Sequence, residues 1–243
     1  MNVDDNNSVY YYYDEPVVYE PVAESPLIRT AYAMFHAPDL AGAASLQKGD
    51  FLWSTFVVDL NDKPAPSPLD NAKLYTATHF KYAKVNVADV ILPEKEAFDS
   101  FLSDDYSESI SSACLYRSFI DNSLFFGFTH KNQSDNSYIY EYELVLNPEK
   151  ERNSNYPTFY IRAKKPVLTI HEEIASVGQY KKDEIIFAFQ MSDFINYYRK
   201  NISNTGPIRF NLKYKTGQDE AGKDIYREFL SNPISWNPTK AEL

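Results

Sequence analysis

Four histidines, a single cysteine and a few paired acids are the side chains in this 243-residue chain that could support catalytic or metal chemistry. His36, His79, His130 and His171 are dispersed and share no metal-ligand spacing. His36 and His130 fall at the ends of expected strands, where an ordinary hydrogen-bonding role is the default. His171-Glu172-Glu173 has the composition of a zinc-protease helix but lacks the second histidine at the required spacing. Cys114 stands alone, which excludes an intrachain disulfide and a multi-cysteine zinc site. Within the apolar run Ala113–Ile120 it reads as a buried small hydrophobe, since a reactive thiol needs an exposed, electropositive setting. Asp104-Asp105 and Glu172-Glu173 are the paired carboxylates that glycoside hydrolysis would require; adjacent acids in polar segments are ordinarily just solvated. Asp59-Leu60-Asn61-Asp62 offers oxygen ligands without the glycine and terminal glutamate of a helix–loop–helix calcium site. The seven glycines are scattered, so there is neither a phosphate-cradling loop nor a Gly-x-Ser-x-Gly elbow. No catalytic, metal or cofactor-binding residue is assigned, and no cofactor is expected. The candidate binding residues are aromatic. Tyr138, Tyr140 and Tyr142 share one face of an expected strand and would form a platform for sugar rings or a protein partner if that face were open.

The elements that hold these groups are β in character. The chain has 20 Tyr and 16 Phe, residues that favour pleated, half-buried surfaces, and it lacks the Ala/Leu/Glu heptads of long helices. With 24 Lys+Arg against 34 Asp+Glu, it carries too little clustered positive charge for nucleic acid or anionic lipid. The longest basic runs are dipeptides, Lys164-Lys165, Lys181-Lys182 and Arg199-Lys200. No apolar stretch approaches the length of a membrane span, and no basic-then-apolar segment opens the chain. The expectation is either a cytoplasmic protein or a mature form whose leader has been removed.

Residues 1–25 read as an acidic, partly disordered tail, because Asp4, Asp5, Asp14, Glu15, Glu20 and Glu24 have no basic counterpart there. Partial docking of Tyr10–Tyr13 on the body is expected. Residues 26–103 read as a small barrel with strands at Leu27–His36, Phe51–Leu60, Lys73–Phe80 and Lys81–Leu92, then a short helix over Glu94–Ser103. Phe51–Leu60 is apolar on both faces, which implies burial on both sides. Residues 104–243 read as an antiparallel β-sandwich. Its strands are expected at Ala113–Ile120, Ser123–His130, Ser137–Leu146, Tyr156–Ala163, Glu184–Gln190, Pro207–Lys215 and Asp224–Leu230. Lys131–Asn136 is the expected hairpin turn. Ser192, as N-cap, starts a short helix to about Asn201.

Three stretches resemble the NigD-like lipoprotein family of Bacteroidota. Gln47-Lys48-Gly49-Asp50 leading into Phe51–Asp59 is similar to that family's turn and following strand. Tyr82–Leu92 resembles the strand that closes its barrel. Asn122–His130, Tyr138–Asn147 and Phe187–Phe194 resemble its paired strands and strand-plus-helix. The resemblance implies an OB-like small barrel followed by a β-sandwich, and a cell-envelope location, outer membrane-anchored, periplasmic or surface-exposed. The only membrane contact it implies is a lipid anchor, absent from this chain, on a cysteine ahead of an acidic stretch such as Asn2-Val3-Asp4-Asp5. It carries no catalytic residues across. The function expected is non-enzymatic binding of an unknown protein or glycan partner, with no nucleic acid. A virion or other assembly protein made in the cytoplasm, and a hydrolase with an unrecognised site, are the alternatives.

Overall fold

The structure, a computed structural model, describes residues 8–22, 25–67, 73–103, 107–130, 138–149, 155–164, 167–168 and 184–234. The described residues are mostly in strands and fall into two compact units that divide at Asn86–Val87, ahead of the 103/104 boundary read from the sequence.

The first unit contains strands β1 (Val9–Tyr19), β2 (Leu27–Arg29), β3 (Met34–His36), β4 (Phe51–Asp59), β5 (Ala65–Pro66), β6 (Lys73–Leu74) and β7 (Ala77–Lys84). Five of them form a half-barrel in the order β3-β2-β1-β4-β7, and β5 pairs with β6. Alternation sorts β4 as expected. Leu52, Phe56 and Val58 enter a core with Val17, Ile28, Phe35 and Leu40, while Trp53 on the opposite face is also fully buried. The acidic segment behaves differently from a tail. Residues 9–19 form the middle strand of the sheet, with Val17 and Val18 0 % and 1 % exposed. Tyr12 stacks on Phe56 with ring centroids 4.5 Å apart. The acids are accommodated by a bulge between Tyr12 and Glu15, where Asp14 takes φ 53°, so the apolar residues on either side stay in register. The expected strand Leu27–His36 is a tight pair, β2 and β3, turned at Thr30–Ala33, where the Thr30 hydroxyl accepts the Ala33 N–H.

The second unit is a two-layer sandwich. It contains β8 (Asn86–Asp89), α1 (Lys95–Ser103), β9 (Ser107–Glu108), β10 (Ser112–Ile120), β11 (Ser123–Thr129), β12 (Tyr138–Ile139), β13 (Tyr142–Leu146), β14 (Thr158–Lys164), β15 (Val167–Leu168), β16 (Ile185–Gln190), α2 (Ser192–Asn201), β17 (Asn211–Gln218) and β18 (Asp224–Leu230). One sheet runs β10-β11-β16-β8 and the other β13-β14-β17-β18, with β9 on β14 and the pair β12-β15 apart. Within the second sheet β14 and β17 are parallel. Phe126, Phe128, Phe187 and Phe189 from the first sheet meet Tyr142, Leu144, Phe159, Ile161, Leu212 and Tyr214 from the second in one core. Each such side chain contributes roughly 1.5–3 kcal/mol by leaving water. Helix α2 adds Phe194, Ile195 and Tyr198 to it.

Several expectations are corrected here. The strand Lys81–Leu92 ends at Lys84 in the half-barrel, and β8 pairs instead with β16. The Ile91 amide then donates to Leu144 O, and Leu146 N donates to Ile91 O, both at 2.9 Å. Residues 86–91 thus pass from the edge of one sheet to the edge of the other and satisfy the backbone groups of both. Lys131–Asn136 lies outside the described residues, but the strands flanking it do not form a hairpin. Strand β11 pairs with β10 and β16, whereas β13 pairs with β14 in the opposite layer. The tight hairpin is one step earlier: Asp121 and Asn122, at φ 48° and 60°, join β10 to β11 in the positive-φ geometry that two-residue hairpins favour. Helix α2 has the expected span, but Met191 is its N-cap and no side chain caps it. The Ser192 hydroxyl donates to Gln190 Oε1.

Candidate functional site

Two clusters of titratable side chains stand out in the second unit. The first is centred on His130, just past the end of β11 and 8 % exposed. Its Nδ1 lies 2.9 Å from Ser109 O and its Nε2 2.8 Å from the Tyr142 hydroxyl. A carbonyl only accepts, so Nδ1 carries the proton and Nε2 accepts from Tyr142. The imidazole stacks on the Tyr140 ring at 3.9 Å and 10°. Burial holds the His130 pKa below the ordinary histidine value against the opposing pull of the Ser109 carbonyl. Burial also raises Tyr142 well above a normal phenol, with Tyr140 adding to the effect. The pair bridges the two layers: His130 follows a strand of one sheet and Tyr142 opens a strand of the other. A neutral histidine bonded on both nitrogens and walled by rings is a fastening between sheets.

The second cluster lies on the face of β10 and β11 that points away from the sandwich core. Ala113 and Leu115 pack against the core, so alternation sends Cys114 outward and leaves it exposed. This corrects the expectation of a buried thiol. Its Sγ donates to Glu184 Oε1 at 3.2 Å, and the Tyr116 hydroxyl donates to Glu184 Oε2 at 2.7 Å. Gly127, opposite Cys114 in the ladder, makes the room. A Cβ there would lie 2.0 Å from Glu184 Oε1 and 2.9 Å from Cys114 Sγ. Although the residue is exposed, partial loss of water at its sulfur comes first, and then the Glu184 hydrogen bond and charge, in pushing the thiol pKa up. Burial, the Glu184 hydrogen bond and the neighbouring Cys114 push Tyr116 far up. A thiol held protonated beside a carboxylate is a poor nucleophile. Sequence reasoning missed this cluster. A glycine interrupting the apolar strand Ser123–Thr129 was its one local signal.

The platform residues are not presented together. Tyr142 is 2 % exposed, against Phe128 at 4.0 Å and Phe187 at 5.3 Å. Tyr140 is half-buried on His130, and the side chain of Tyr138 lies outside the described residues. His36 bridges Thr76 just ahead of β7, its N–H donating to Tyr75 O at 3.0 Å, and His79 lies three residues further on, in the left-handed region at φ 54°. Asp59 Oδ1 accepts the Asn61 N–H, closing a turn. Asp104-Asp105 and His171-Glu172-Glu173 lie outside the described residues. Among the described residues no group of three or more His, Cys, Asp or Glu side chains could hold a metal ion, and no helix is long and apolar enough to cross a membrane. An apolar pocket of about 10 Å³ at the α2 end of the sandwich is lined by residues including Phe119, Met191, Phe194 and Phe210, room for one water or methyl group.

No protein-family model matches the chain, and no curated protein matches it. Solved structures do. A crystal structure of an uncharacterised protein from Parabacteroides merdae superposes with a TM-score of 0.59 at 12 % identity, covering 90 % of this chain and 96 % of that one. A Bacteroides fragilis protein described as a "Putative lipoprotein" gives 0.50 at 9 % identity, covering 91 % and 96 %. A NigD-like immunity protein from Bacteroides caccae gives 0.43 at 6 % identity, covering 94 % and 100 %. For the first two, at 12 % and 9 % identity, the likeness is one of fold.

Proposed function

We propose that this chain is a non-enzymatic protein of the cell envelope, made as a lipid-anchored precursor, that holds a protein or glycan partner on its exposed β surface. The observation that carries the non-enzymatic half is the bonding of its reactive groups. Both ring nitrogens of His130 are engaged with Ser109 and Tyr142, and Cys114 and Tyr116 both donate to Glu184. The pocket beside α2 is lined only by apolar side chains, which offer no acid, base or nucleophile to a substrate. The binding half is supported by three large aromatics on the surface of the first unit, Tyr11, Tyr13 and Tyr32, at 52 %, 68 % and 89 % exposure. The Bacteroides fragilis neighbour supports the envelope location.

The test is to express the gene from its own locus in cells fed an alkyne fatty acid, then fractionate. We expect the product to be labelled and to sediment with membranes. An unlabelled product recovered wholly in the cytosol refutes the envelope assignment.

A further inference from the structure

We infer that the outer face of the half-barrel, at Tyr11 and Tyr13 of β1, binds a neutral polysaccharide. This rests on the binding half of the function proposed above and places the contact on a surface distinct from the segment that carries Tyr138, Tyr140 and Tyr142.

Strand β1 splits its tyrosines between two faces. Tyr12 turns inward onto Phe56 and Phe35. Tyr11 and Tyr13 turn outward, with rings 6.1 Å apart and 6° from parallel. Both remain largely in solvent, although burying either ring would gain apolar contact. The register identifies what surrounds them. Tyr11 faces Val57, which in turn faces Thr78, and Thr55 faces Lys81 on β7. Asp59 lies opposite Val9 at the end of the same face. The register therefore gathers two parallel phenols, Val57, two threonines, Lys81 and Asp59, with Asp14 in the bulge beside Tyr13.

Two bulges meet at this point in the sheet. On β1 the register shifts between Tyr12 and Glu15, and on β7 it shifts opposite Thr55–Val57. Each bulge contains a non-glycine residue in the left-handed region, Asp14 at φ 53° and His79 at φ 54°. Asp39 pins the second by accepting the Phe80 N–H at 2.9 Å. Backbone of this kind persists only where its surroundings enforce it, and bulges re-aim side chains next to binding sites. Here the β1 bulge lets the outward tyrosines end at Tyr13 while Val17 and Leu52 return to the core.

The chemistry of this face selects the ligand. A pyranose ring has an apolar C–H face that stacks on a phenol and a rim of hydroxyls that bonds to phenolic, threonine and ammonium groups. Asp59 and Asp14 against the single Lys81 leave the face without net positive charge, on a chain with a net charge of −10. That balance disfavours uronic, sulfated or phosphorylated polymers. A protein partner would call for a wider apolar patch than two rings and one valine.

The test is affinity electrophoresis of the purified chain in native gels cast with hydroxyethylcellulose, soluble starch, xylan, galactomannan or, as the anionic control, polygalacturonate. We expect retardation by at least one neutral polymer and none by polygalacturonate. Tyr13→Ala should weaken binding about tenfold, the effect of losing one aromatic stack. Tyr13→Phe, which keeps the stacking ring and loses only the hydroxyl, should retain most of the binding, and both variants should keep the wild-type melting midpoint. Retardation by none of the neutral polymers, retardation by polygalacturonate alone, or full binding by Tyr13→Ala overturns the inference. A protein partner would leave every gel unretarded. None of these results bears on fatty-acid labelling, so the envelope assignment stands or falls separately.

Discussion

Replacing Gly127 by alanine tests the Glu184 cluster through a single methyl group. The added Cβ would meet Glu184 Oε1 at 2.0 Å and Cys114 Sγ at 2.9 Å. Ordinary contact begins near 3.4 Å, so the carboxylate must retreat by about 1.4 Å. That movement breaks the 2.7 Å bond from Tyr116 and the 3.2 Å bond from Cys114. Hydrogen bonds to a charged acceptor are worth about 1.5–3 kcal/mol when buried. Glu184 is partly exposed and regains water on leaving, which reduces the net loss to about 1 kcal/mol. The sharper readout is the thiol. Burial, the Glu184 hydrogen bond and the Glu184 charge all raise its pKa, in that order. Removing the last two raises the thiolate fraction at a given pH, and each pKa unit is a factor of ten in thiolate. Cys114 in Gly127→Ala, and in Glu184→Gln, should therefore react severalfold faster with a disulfide reagent at pH 7.5. Urea denaturation should move only slightly. Equal thiol reactivity in wild type and both variants would refute the reasoning, because it would mean that Glu184 does not sit over Gly127.

Three further outcomes follow from the core and the buried histidine. Phe194→Ala removes a fully buried ring packed 4.6 Å from Phe159 and next to an existing pocket; we expect a loss of about 3–5 kcal/mol in chemical denaturation. Val17→Asp places a carboxylate in the middle of the half-barrel and should abolish near-ultraviolet dichroism from that unit, whereas an unpacked acidic tail would tolerate the change. His130 has a lowered pKa in the folded state, so below pH 6.5 the unfolded chain binds the extra proton. This term therefore leaves stability highest above about pH 6.5 and lowers it as pH falls toward the folded pKa, with a slope of at most about 1.4 kcal/mol per pH unit. Unfolding free energies at pH 7.5, 6.5 and 5.5 should show that slope in wild type and a shallower one in His130→Gln.

How much of this was legible depended on whether neighbours in sequence or neighbours in space decide the outcome. Ile208, Phe210, Leu212 and Tyr214 alternate with polar residues, and all four are buried at 2 % exposure or less. Period two is a local property, and it marks the dry face, although β17 starts only at Asn211 and Ile208 and Phe210 precede it. Its wet side was less simple: Lys215 is 7 % exposed and ion-paired to Asp224 at 2.8 Å, because β18 supplies the partner. The spans of α2 and β18 also followed from local signals. Strand β1 did not, since its acids look like a disordered tail until the bulge that houses them is seen. The break in Ser137–Leu146 was hidden because β12 and β13 join different partners. The Glu184 cluster was out of reach for the same reason, its donors lying 70 and 68 residues away in sequence. The mostly β fold was written in the residue types; the cross-sheet bonds were written in the topology.

The claim that the reactive side chains serve structure is tested most directly at His130, by long-range proton–nitrogen correlation spectra recorded from pH 8 to pH 5. We predict a neutral ring with the proton on Nδ1, slow exchange of that proton, and titration below the ordinary histidine value. A mobile ring with both tautomers populated and an ordinary titration near pH 6.5 would contradict it.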